Sequence, residues 1–376
     1  MTTRFRPAAV VAAVIVSALP LSALAESQTL TVDCSRGQTI AKALERGDSR
    51  KPLVVIIRGT CNESVTIHRD DTTLAGDPRS GGMVNGPTMG YAINVSADRV
   101  TIAGLRVTGG GGGVNVLGGS NVGIVDSVIE HTGGEGVMFN STQAARIRSS
   151  KVQHTGSHGV MIVRAAARLI NNEIAFNAGA GVHVEQMGNL FASANKIGSN
   201  GSNGIELLAG SYGAIHDGGF YANGTNPAGR RHGIFVSFSR ADIGPGNSIF
   251  NHPGAGIWAD GSTVQAGGNE VSGNGDGGIT GYLGSTLVVY GMTITNNTGD
   301  GVRLVGNTTG QIDSSTVRLN TGHGIVLQRG SKLLTAPPVS DATANGGFGL
   351  YCADAESSVA DLASLNGTVS QGCTGF

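Results

Sequence analysis

A glycine followed by an aliphatic residue returns along most of this chain at a nearly constant interval. Successive copies lie about 23 residues apart, except for one clearly longer step between Gly204 and Gly233 and a slightly longer last one. A fixed period of this length is typical of a solenoid, in which each repeat forms one coil that stacks on the next. The dipeptides begin at Gly113, Gly136, Gly159, Gly181, Gly204, Gly233, Gly256, Gly278, Gly301, Gly324 and, in a looser copy, Gly349.

Two further columns of residues keep the same step. His131 and His154 begin the first column, which continues as asparagines at Asn177, Asn200, Asn223, Asn251, Asn274, Asn297, Asn320 and Asn345. The second column is apolar and consists of Val128, Val152, Ile174, Ile197, Phe220, Ile249, Val271, Ile294 and Val317. Each repeat therefore contains two or three short β-like runs and no window long enough for a helix. Coils stacked about 4.8 Å apart would turn the asparagines into an amide ladder and the apolar residues into a continuous core.

The pattern resembles the right-handed parallel β-helix of the pectate-lyase-like superfamily, over roughly Leu53 to Cys373. Leucine-rich repeats are excluded because leucine is scarce, and propellers are excluded because their period is about twice as long. The resemblance implies an all-β fold, a right-handed single-stranded parallel solenoid of about a dozen coils with about 23 residues per coil. It implies no single activity, because that superfamily contains lyases, hydrolases, epimerases and non-catalytic proteins.

The amino-terminal residues indicate export. Arg4 and Arg6 precede an apolar run over residues 8–19, and Ala23 and Ala25 fit an A-x-A cleavage site. We therefore interpret residues 1–25 as a signal peptide and expect a secreted or periplasmic protein. No later apolar run approaches the length of about 18 residues that a membrane-spanning helix needs, so none is predicted.

Residues 26–376 are predicted to form one β-helix domain with three parts. Within residues 26–52, Ser35 can cap a short helix over Gln38–Glu45, whose apolar face would cover the open end of the solenoid as an N-terminal cap. Residues 53–334 are assigned to the coils. Residues 335–376 are assigned to a less regular C-terminal cap.

Four cysteines in an exported chain predict two disulfides. Cys34 and Cys61 lie before the regular repeats, whereas Cys352 and Cys373 lie after them. Because a dozen coils at about 4.8 Å each separate the two ends by tens of ångströms, we expect Cys34–Cys61 and Cys352–Cys373.

Charge and motifs exclude several classes of partner. With 25 basic and 26 acidic residues, the net charge is −1, which predicts neither a nucleic-acid surface nor a basic membrane patch. The sequence has no C-x-x-C and no Asp-rich calcium-binding run, so neither a metal nor a cofactor is predicted.

The longer step between Gly204 and Gly233 indicates an insertion. Asn200 and Asn223 keep the ordinary spacing, so the extra residues lie within 224–232. An insertion in a solenoid forms a loop on one face, often the binding face. This loop carries Arg230, Arg231 and His232.

Polar and aromatic side chains are concentrated beside this loop. The second and fourth residues after each repeat glycine should point outward, because side chains alternate along a strand. The candidate catalytic residues are His183, Glu185, Glu206, Arg231 and His232. The candidate substrate-binding residues are Arg230, Phe235, Trp258, Asp260, Tyr282 and Arg303.

Several kinds of chemistry fit these residues. Glu185 and Glu206, about 8 Å apart at Cα on stacked strands, can act as the acid and base of an inverting glycosidase. Alternatively, Arg230 or Arg231 can neutralise a uronate carboxylate. In that scheme His183 or His232, whose side chains can act as bases, removes the adjacent proton.

Binding without catalysis is the other hypothesis. Aromatic side chains on successive coils can stack on sugar rings, whereas a glutamate beside a histidine can be a surface ion pair of under about 1 kcal/mol. The Gly-His-Gly of polygalacturonases does occur at Gly322–Gly324, but on an ordinary repeat turn, and their other motifs are missing. The motifs of calcium pectate lyases and the Asp-Pro-His-Asp of alginate epimerases are also missing. We therefore predict an exported protein that binds glycans or cell-surface polymers, with a uronate lyase, epimerase or inverting hydrolase as the alternative.

Overall fold

The computed structural model describes residues 27–370 and 372–375. The signal peptide predicted for residues 1–25 lies outside the described residues. Three strands per coil build a parallel β-solenoid of about 15 turns with about 23 residues per turn. Each strand pairs in parallel with the equivalent strand of the next coil, for example Val160 with Val182 and Val182 with Ile205. The solenoid is therefore longer than the dozen coils that the sequence suggested.

Three columns of strands, named here sheets A, B and C, run the length of the described chain. Sheet C contains the strands that follow the repeat glycines: Val65–Ile67, Tyr91–Val95, Gly112–Leu117, Val137–Asn140, Val160–Val163, Val182–Glu185, Ile205–Leu208, Ile234–Ser237, Ile257–Asp260, Ile279–Tyr282, Val302–Val305, Ile325–Gln328 and Leu350–Cys352.

Sheets A and B complete each coil. Sheet A consists of Gln28–Asp33, Leu53–Asn62, Thr72–Gly76, Thr101–Ala103, Gly123–Val125, Ala145–Arg148, Ala166–Ile170, Asn189–Ser193, Tyr212–His216, Arg240–Ile243, Thr263–Gly267, Thr286–Tyr290, Thr309–Asp313, Lys332–Leu334, Ser358–Ala360 and Thr374–Gly375. Sheet B begins with the end of Leu53–Asn62 and continues with Gly82–Gly86, Arg106–Gly109, Val128–Glu130, Lys151–Gln153, Glu173–Ala175, Lys196–Gly198, Gly219–Tyr221, Ser248–Phe250, Glu270–Ser272, Thr293–Thr295, Thr316–Arg318, Ser340–Asp341 and Leu365–Asn366.

The core lies between the three sheets and is filled by the inward side chains of every strand. In sheet C the first and third residues after the repeat glycine, such as Val182 and Val184, are fully buried. The apolar column of sheet B behaves in the same way, except that Ile129 and not Val128 pairs with Val152. The predicted alternation of inward and outward side chains is confirmed.

The repeat glycines are required by close packing between coils. A Cβ on Gly181 would lie 2.5 Å from Cγ2 of Ile197 and 2.8 Å from the carbonyl oxygen of Gly204 in the next coil. Gly181 does not adopt a left-handed backbone conformation. That conformation is taken instead by other residues, such as His154 with φ of 52°.

The asparagine ladder lies at the turn between sheets B and C. The side-chain amide of Asn200 donates to Oδ1 of Asn223 at 2.8 Å and to the carbonyl oxygen of Ile174 at 3.1 Å. In the coil after Asn223 the ladder uses His252 instead of the predicted Asn251, because Nδ1 of His252 accepts from the backbone N–H of Asn223 at 3.1 Å.

The two histidines predicted to begin this ladder lie outside it. Thr155, and not His154, donates its hydroxyl to Oδ1 of Asn177 at 2.9 Å. The rings of His131 and His154 instead stack on each other outside the turn, with centroids 5.2 Å apart. His131 and His154 each adopt the left-handed conformation one position before the ladder residue, so their side chains point away from the ladder. The predicted register of the ladder was therefore wrong by one residue in these coils.

The amino-terminal part contains a strand that the sequence pattern missed. Gln28–Asp33 pairs in parallel with Leu53–Asn62. A 3₁₀-helix at Cys34–Arg36 and an α-helix at Ile40–Arg46 connect these strands. The helix was predicted, but its N-cap is Thr39 and not Ser35, because the Thr39 hydroxyl accepts from the backbone N–H of Lys42.

Both expected disulfides are present. Cys34 bonds to Cys61 and Cys352 bonds to Cys373, with Cα atoms 5.2 and 5.0 Å apart. A second 3₁₀-helix, Leu362–Ser364, lies near the carboxyl-terminal bond. Within the described residues, no helix has the length and apolar character needed to cross a membrane.

Candidate functional site

The outer face of sheet C carries the candidate residues in the predicted register. His183 pairs with Glu206, Glu206 with Phe235, and Phe235 with Trp258 on successive coils. Although they point outward, His183 is only 8% exposed, Glu206 6% and Phe235 3%. Residues of the preceding turns pack on His183 and Glu206, and the 224–232 loop covers Phe235.

The 224–232 loop folds over this same face. The guanidinium carbon of Arg230 lies 4.1 Å from the centre of the Phe235 ring. The His232 ring packs beside Phe235 and Trp258, with centroids 5.8 and 4.9 Å away. The loop therefore brings two of its three basic residues onto the predicted column.

Arg231 contacts the next coil through its backbone, because its carbonyl oxygen accepts a hydrogen bond from the N–H of Gly254 at 2.8 Å. Sequence reasoning could not separate Arg231 from Arg230, whereas only Arg230 has a described ring contact on this face.

A buried hydrogen-bonded network lies beneath the loop. Nδ1 of His183 lies 2.7 Å from Oε2 of Glu206. The other oxygen of Glu206 accepts from the Ser202 hydroxyl at 2.8 Å and from the Asn203 amide at 2.9 Å. Oδ1 of Asn203 in turn accepts from the backbone N–H of His232 at 2.6 Å. This chain of contacts connects the strand residues directly to the end of the loop.

Burial and pairing act in opposite directions on the two charged groups. Burial alone would lower the pKa of His183, but the hydrogen bond and negative charge of Glu206 raise that pKa above 6.5. Burial alone would raise the pKa of Glu206, but the hydrogen bond from His183 and its positive charge lower that pKa below 4.5. Each group therefore favours the charged form of the other.

His232 has a neutral ring with one tautomer fixed. Burial, followed by the positive charge of Arg230, lowers its pKa to about 4. Its Nδ1 accepts from the backbone N–H of Ala255 at 3.0 Å, so the proton resides on Nε2. A ring in this state can donate a hydrogen bond but has no free lone pair, so the geometry does not support His232 as a base.

Glu185 and Glu206 do not face each other across open space. Oε2 of Glu185 lies 3.4 Å from Nε2 of His183, while Glu206 holds the opposite nitrogen. The imidazole ring therefore lies between the two carboxylates. An inverting glycosidase needs room for water and substrate between its carboxyl groups, and this arrangement does not provide it.

The proposed sugar-binding residues divide into two groups. Trp258 and Tyr282 are partly exposed, and their rings lie 6.4 Å apart. Asp260 pairs in register with Tyr282, and its Oδ1 is buried without a hydrogen-bond partner in the described structure. By contrast, Phe235 is covered, and Arg303 is held by Asp300 at 2.7 Å.

Sequence reasoning missed two members of the cluster, Asn203 and His158. The His158 ring lies 4.4 Å from that of His183, and its Nδ1 accepts from the backbone N–H of Ala180. Burial, followed by the charge of His183, lowers the pKa of His158 below 6.5. Both residues directly precede a repeat glycine, a position where polar residues recur, and that recurrence was the available signal.

His158, His183 and Glu206 have ligand atoms within 4.8 Å of one another, a spacing that can accommodate a metal ion. Glu206 already accepts hydrogen bonds from His183, Ser202 and Asn203. The carboxylate is therefore satisfied by protein donors, and we assign no metal to this site.

Comparison with known families decides the classification of the fold. The model of the right-handed β-helix region matches residues 84–220 and 215–361. The chain belongs to this right-handed β-helix family. No curated protein sequence matches it.

Solved structures share the fold of this right-handed β-helix protein. The A-module of the mannuronan C-5 epimerase AlgE4 from Azotobacter vinelandii superposes with a TM-score of 0.59 at 15% identity, covering 85% of this chain and 92% of that one. The Dettilon tailspike protein gives 0.56 at 15% identity, covering 84% and 64%. The periplasmic alginate epimerase AlgG gives 0.50 at 14% identity, covering 93% and 85%. At these identities the likeness is one of fold.

Proposed function

We propose that this protein is exported and binds a polysaccharide along the outer face of sheet C. The observation that carries the proposal is the 224–232 loop, which is held over a column of aromatic side chains. Trp258 and Tyr282 present partly exposed rings on successive coils, and His232 packs against the first of them. Aromatic faces of this kind suit the apolar faces of sugar rings.

The loop carries the polar part of the proposed surface. Arg230 rests on Phe235 and remains exposed. His232 bears its proton on Nε2 and can donate it in a hydrogen bond. Asp260, half-buried two residues along the strand from Trp258, can supply a carboxylate acceptor. Donors and acceptors next to aromatic rings provide orientation and specificity for a sugar hydroxyl or carboxylate.

The buried network supports binding more than catalysis. His183 and Glu206 are almost completely covered, and their polar atoms bond to one another or to Ser202 and Asn203. Their contacts lead through Asn203 to the backbone of His232. We infer that this pair holds the loop in place, so the candidate catalytic residues act as the foundation of the binding surface.

Two general features favour an exported, carbohydrate-directed protein. Both disulfides suit an oxidising compartment. Two proteins of similar fold are named as epimerases of mannuronan and of alginate, which are uronate polysaccharides. A uronate chain is accordingly the first polymer to test, because Arg230 can pair with its carboxylates.

The sole tryptophan of the chain, Trp258, makes the proposal directly testable. Titration with alginate, heparin and neutral glucan oligosaccharides should change Trp258 fluorescence for at least one of them. Replacing Tyr282→Ala should weaken the binding that this response measures about fivefold, because one stacking contact is worth about 1 kcal/mol. Tyr290→Ala, at an exposed tyrosine of sheet A, is the matched control. An unchanged response in Tyr282→Ala would contradict this placement of the site.

A uronate lyase or epimerase remains the second candidate, because Glu206 holds Nδ1 of His183 and leaves Nε2 facing Glu185. An imidazole oriented by a carboxylate can remove a proton through its other nitrogen. Incubation with polymannuronate, followed by NMR for C5 epimers and by absorbance for unsaturated products, tests this chemistry. Activity abolished by His183→Gln would establish it, and its absence with retained binding would support the binding protein.

A further inference from the structure

A groove on the outer face of sheet A lies apart from the site on sheet C. Its volume is about 760 Å³, and its strands are Ala145–Arg148, Ala166–Ile170, Asn189–Ser193 and Tyr212–His216. Arg146 pairs in register with Arg168, and Arg168 with Phe191. These three side chains and Arg148 project along one stretch of the surface, because residues two apart on a strand share a face.

The arginines of this groove lack carboxylate partners. Among the described residues, no Asp or Glu oxygen lies within 4 Å of the guanidinium groups of Arg146, Arg148 or Arg168, although ten other basic residues of the described chain do form such ion pairs. All three arginines are exposed. In a chain whose net charge is −1, this is a local concentration of uncompensated positive charge.

One acid on this face of sheet A, Asp242, is already paired within the protein. Asp242 lies two coils beyond Phe191, because Phe191 pairs with Ala214 and Ala214 pairs with Asp242. Its Oδ2 accepts from the Tyr212 hydroxyl at 2.7 Å, and Oδ1 lies 3.3 Å from Arg240. The positive field of the groove is therefore open to an external anion.

The shape of the groove also suits a polymer. The positions flanking the arginines are small, with Ala144, Ala166 and Ala214 among the lining residues. Phe191 and Tyr212 are partly exposed, and the guanidinium carbon of Arg168 lies 5.2 Å from the centre of the Phe191 ring. Small residues leave room for a chain, and the rings offer apolar area beside the charges.

We propose that this groove is a second carbohydrate site, which binds an anionic polysaccharide lying along the solenoid axis. Arg146 and Arg168 lie on adjacent coils about 4.8 Å apart, so they can pair with anionic groups of neighbouring sugars. A guanidinium can bind a carboxylate or a sulfate through two parallel hydrogen bonds. Phe191 and Tyr212 would contact the sugar rings between those charges.

The test is calorimetry with three hexasaccharides, from alginate, from heparin and from cellulose. We expect binding of an anionic hexasaccharide that weakens as salt rises, because exposed charge pairs are screened. The triple variant R146Q/R148Q/R168Q should bind it about tenfold or more weakly, because each exposed ion pair that is lost weakens binding by up to about fivefold. Preference between alginate and heparin distinguishes carboxylate from sulfate recognition.

A matched variant, R36Q/R50Q/R79Q, removes the same charge from exposed positions near the amino-terminal end and should bind like the wild type. Binding in the sheet A groove should leave Trp258 fluorescence unchanged, so a failure of the sheet C proposal is visible separately. The inference is overturned if both triple variants lose affinity equally, if the arginine variant of the groove binds normally, or if cellohexaose binds as well. Stronger binding of single-stranded DNA, lost in R146Q/R148Q/R168Q, would also overturn it by identifying a different polymer.

Discussion

The buried pair of His183 and Glu206 contributes to the free energy of unfolding, and this contribution decreases at both low and high pH. His183 has a raised pKa, so its contribution is complete below about 6.5 and is lost as the pH rises through the folded value. Glu206 has a lowered pKa, so its contribution is complete above about 4.5 and is lost as the pH falls through the folded value. Both contributions are complete together only between these limits.

Replacing Glu206→Gln keeps the shape of the side chain and removes its charge. We expect a loss of about 1–3 kcal/mol in the free energy of unfolding near pH 5.5, because a buried charged hydrogen bond is replaced by a weaker neutral one. The loss should shrink as the pH rises from 5.5 to about 9, because His183 loses its charge as the pH passes its raised folded pKa. Chemical denaturation at the two pH values measures this difference. The control is Glu185→Gln, which should lower the free energy of unfolding by less, because the contact of Glu185 with Nε2 of His183 is 3.4 Å long and Glu185 is more exposed than Glu206. Equal losses at both pH values would contradict the ion pair.

At the scale of elements, the ladder between sheets B and C shows how a histidine can replace an asparagine. His252 accepts from the N–H of Asn223 through Nδ1, and its Nε2 lies 3.2 Å from the carbonyl oxygen of Phe220. It is therefore neutral, and burial lowers its pKa to about 4. The unfolded chain takes up a proton near pH 6.5 that the folded chain does not, so stability falls as the pH decreases from about 6.5 toward 4.

Replacing His252→Asn should remove this acid sensitivity while keeping a ladder residue. Between about pH 6.5 and 4, the free energy of unfolding of the wild type should fall by up to about 3 kcal/mol more than that of the variant. Urea denaturation across this range provides the measurement. His131→Asn, at an exposed histidine outside the ladder, should behave like the wild type. A parallel decline in wild type and His252→Asn would disprove a neutral histidine in the ladder.

The elements that sequence reasoning predicted best are those fixed by the repeat. The repeat length, about 23 residues per turn, determines which residues stack, so the neighbours His183 and Glu206 followed from counting alone. What the period cannot specify is the path of the turns. Whether Asn251 or His252 enters the ladder depends on which residue adopts the left-handed conformation, and Asn251 adopts it with φ of 58°.

The burial of the candidate site was not predicted, because the repeat period does not specify the path of the turns. A period of two correctly placed His183 and Glu206 on the outer surface of their strands. Their burial depends on turn residues such as His158 and Asn203, which pack on or bond to them and which the alternation within a strand does not encode. The number of coils was underestimated because the strand Gln28–Asp33 and the strands after residue 334 were assigned to the caps.

At the scale of the whole molecule, each coil contacts mainly its two neighbours, so the ends are the weakest parts. The Cys352–Cys373 bond lies in the last coils. In the variant C352S/C373S we expect faster amide hydrogen exchange confined to residues after about 325, since the central coils keep both neighbours. Mass spectrometry of exchange reports this by segment. Faster exchange spread evenly to residues 182–260 would show that the solenoid unfolds as one unit.

The register between coils also has a consequence for folding speed. Paired residues such as Val160 and Val182 are separated by only about 0.06 of the length of the chain. Contact orders this low are typical of helical bundles that fold quickly, whereas β-sandwiches join distant segments and fold slowly. A coil can form as soon as its predecessor is in place and needs no residue from further along the polypeptide. The chain can therefore fold progressively from one end while the remainder is still emerging.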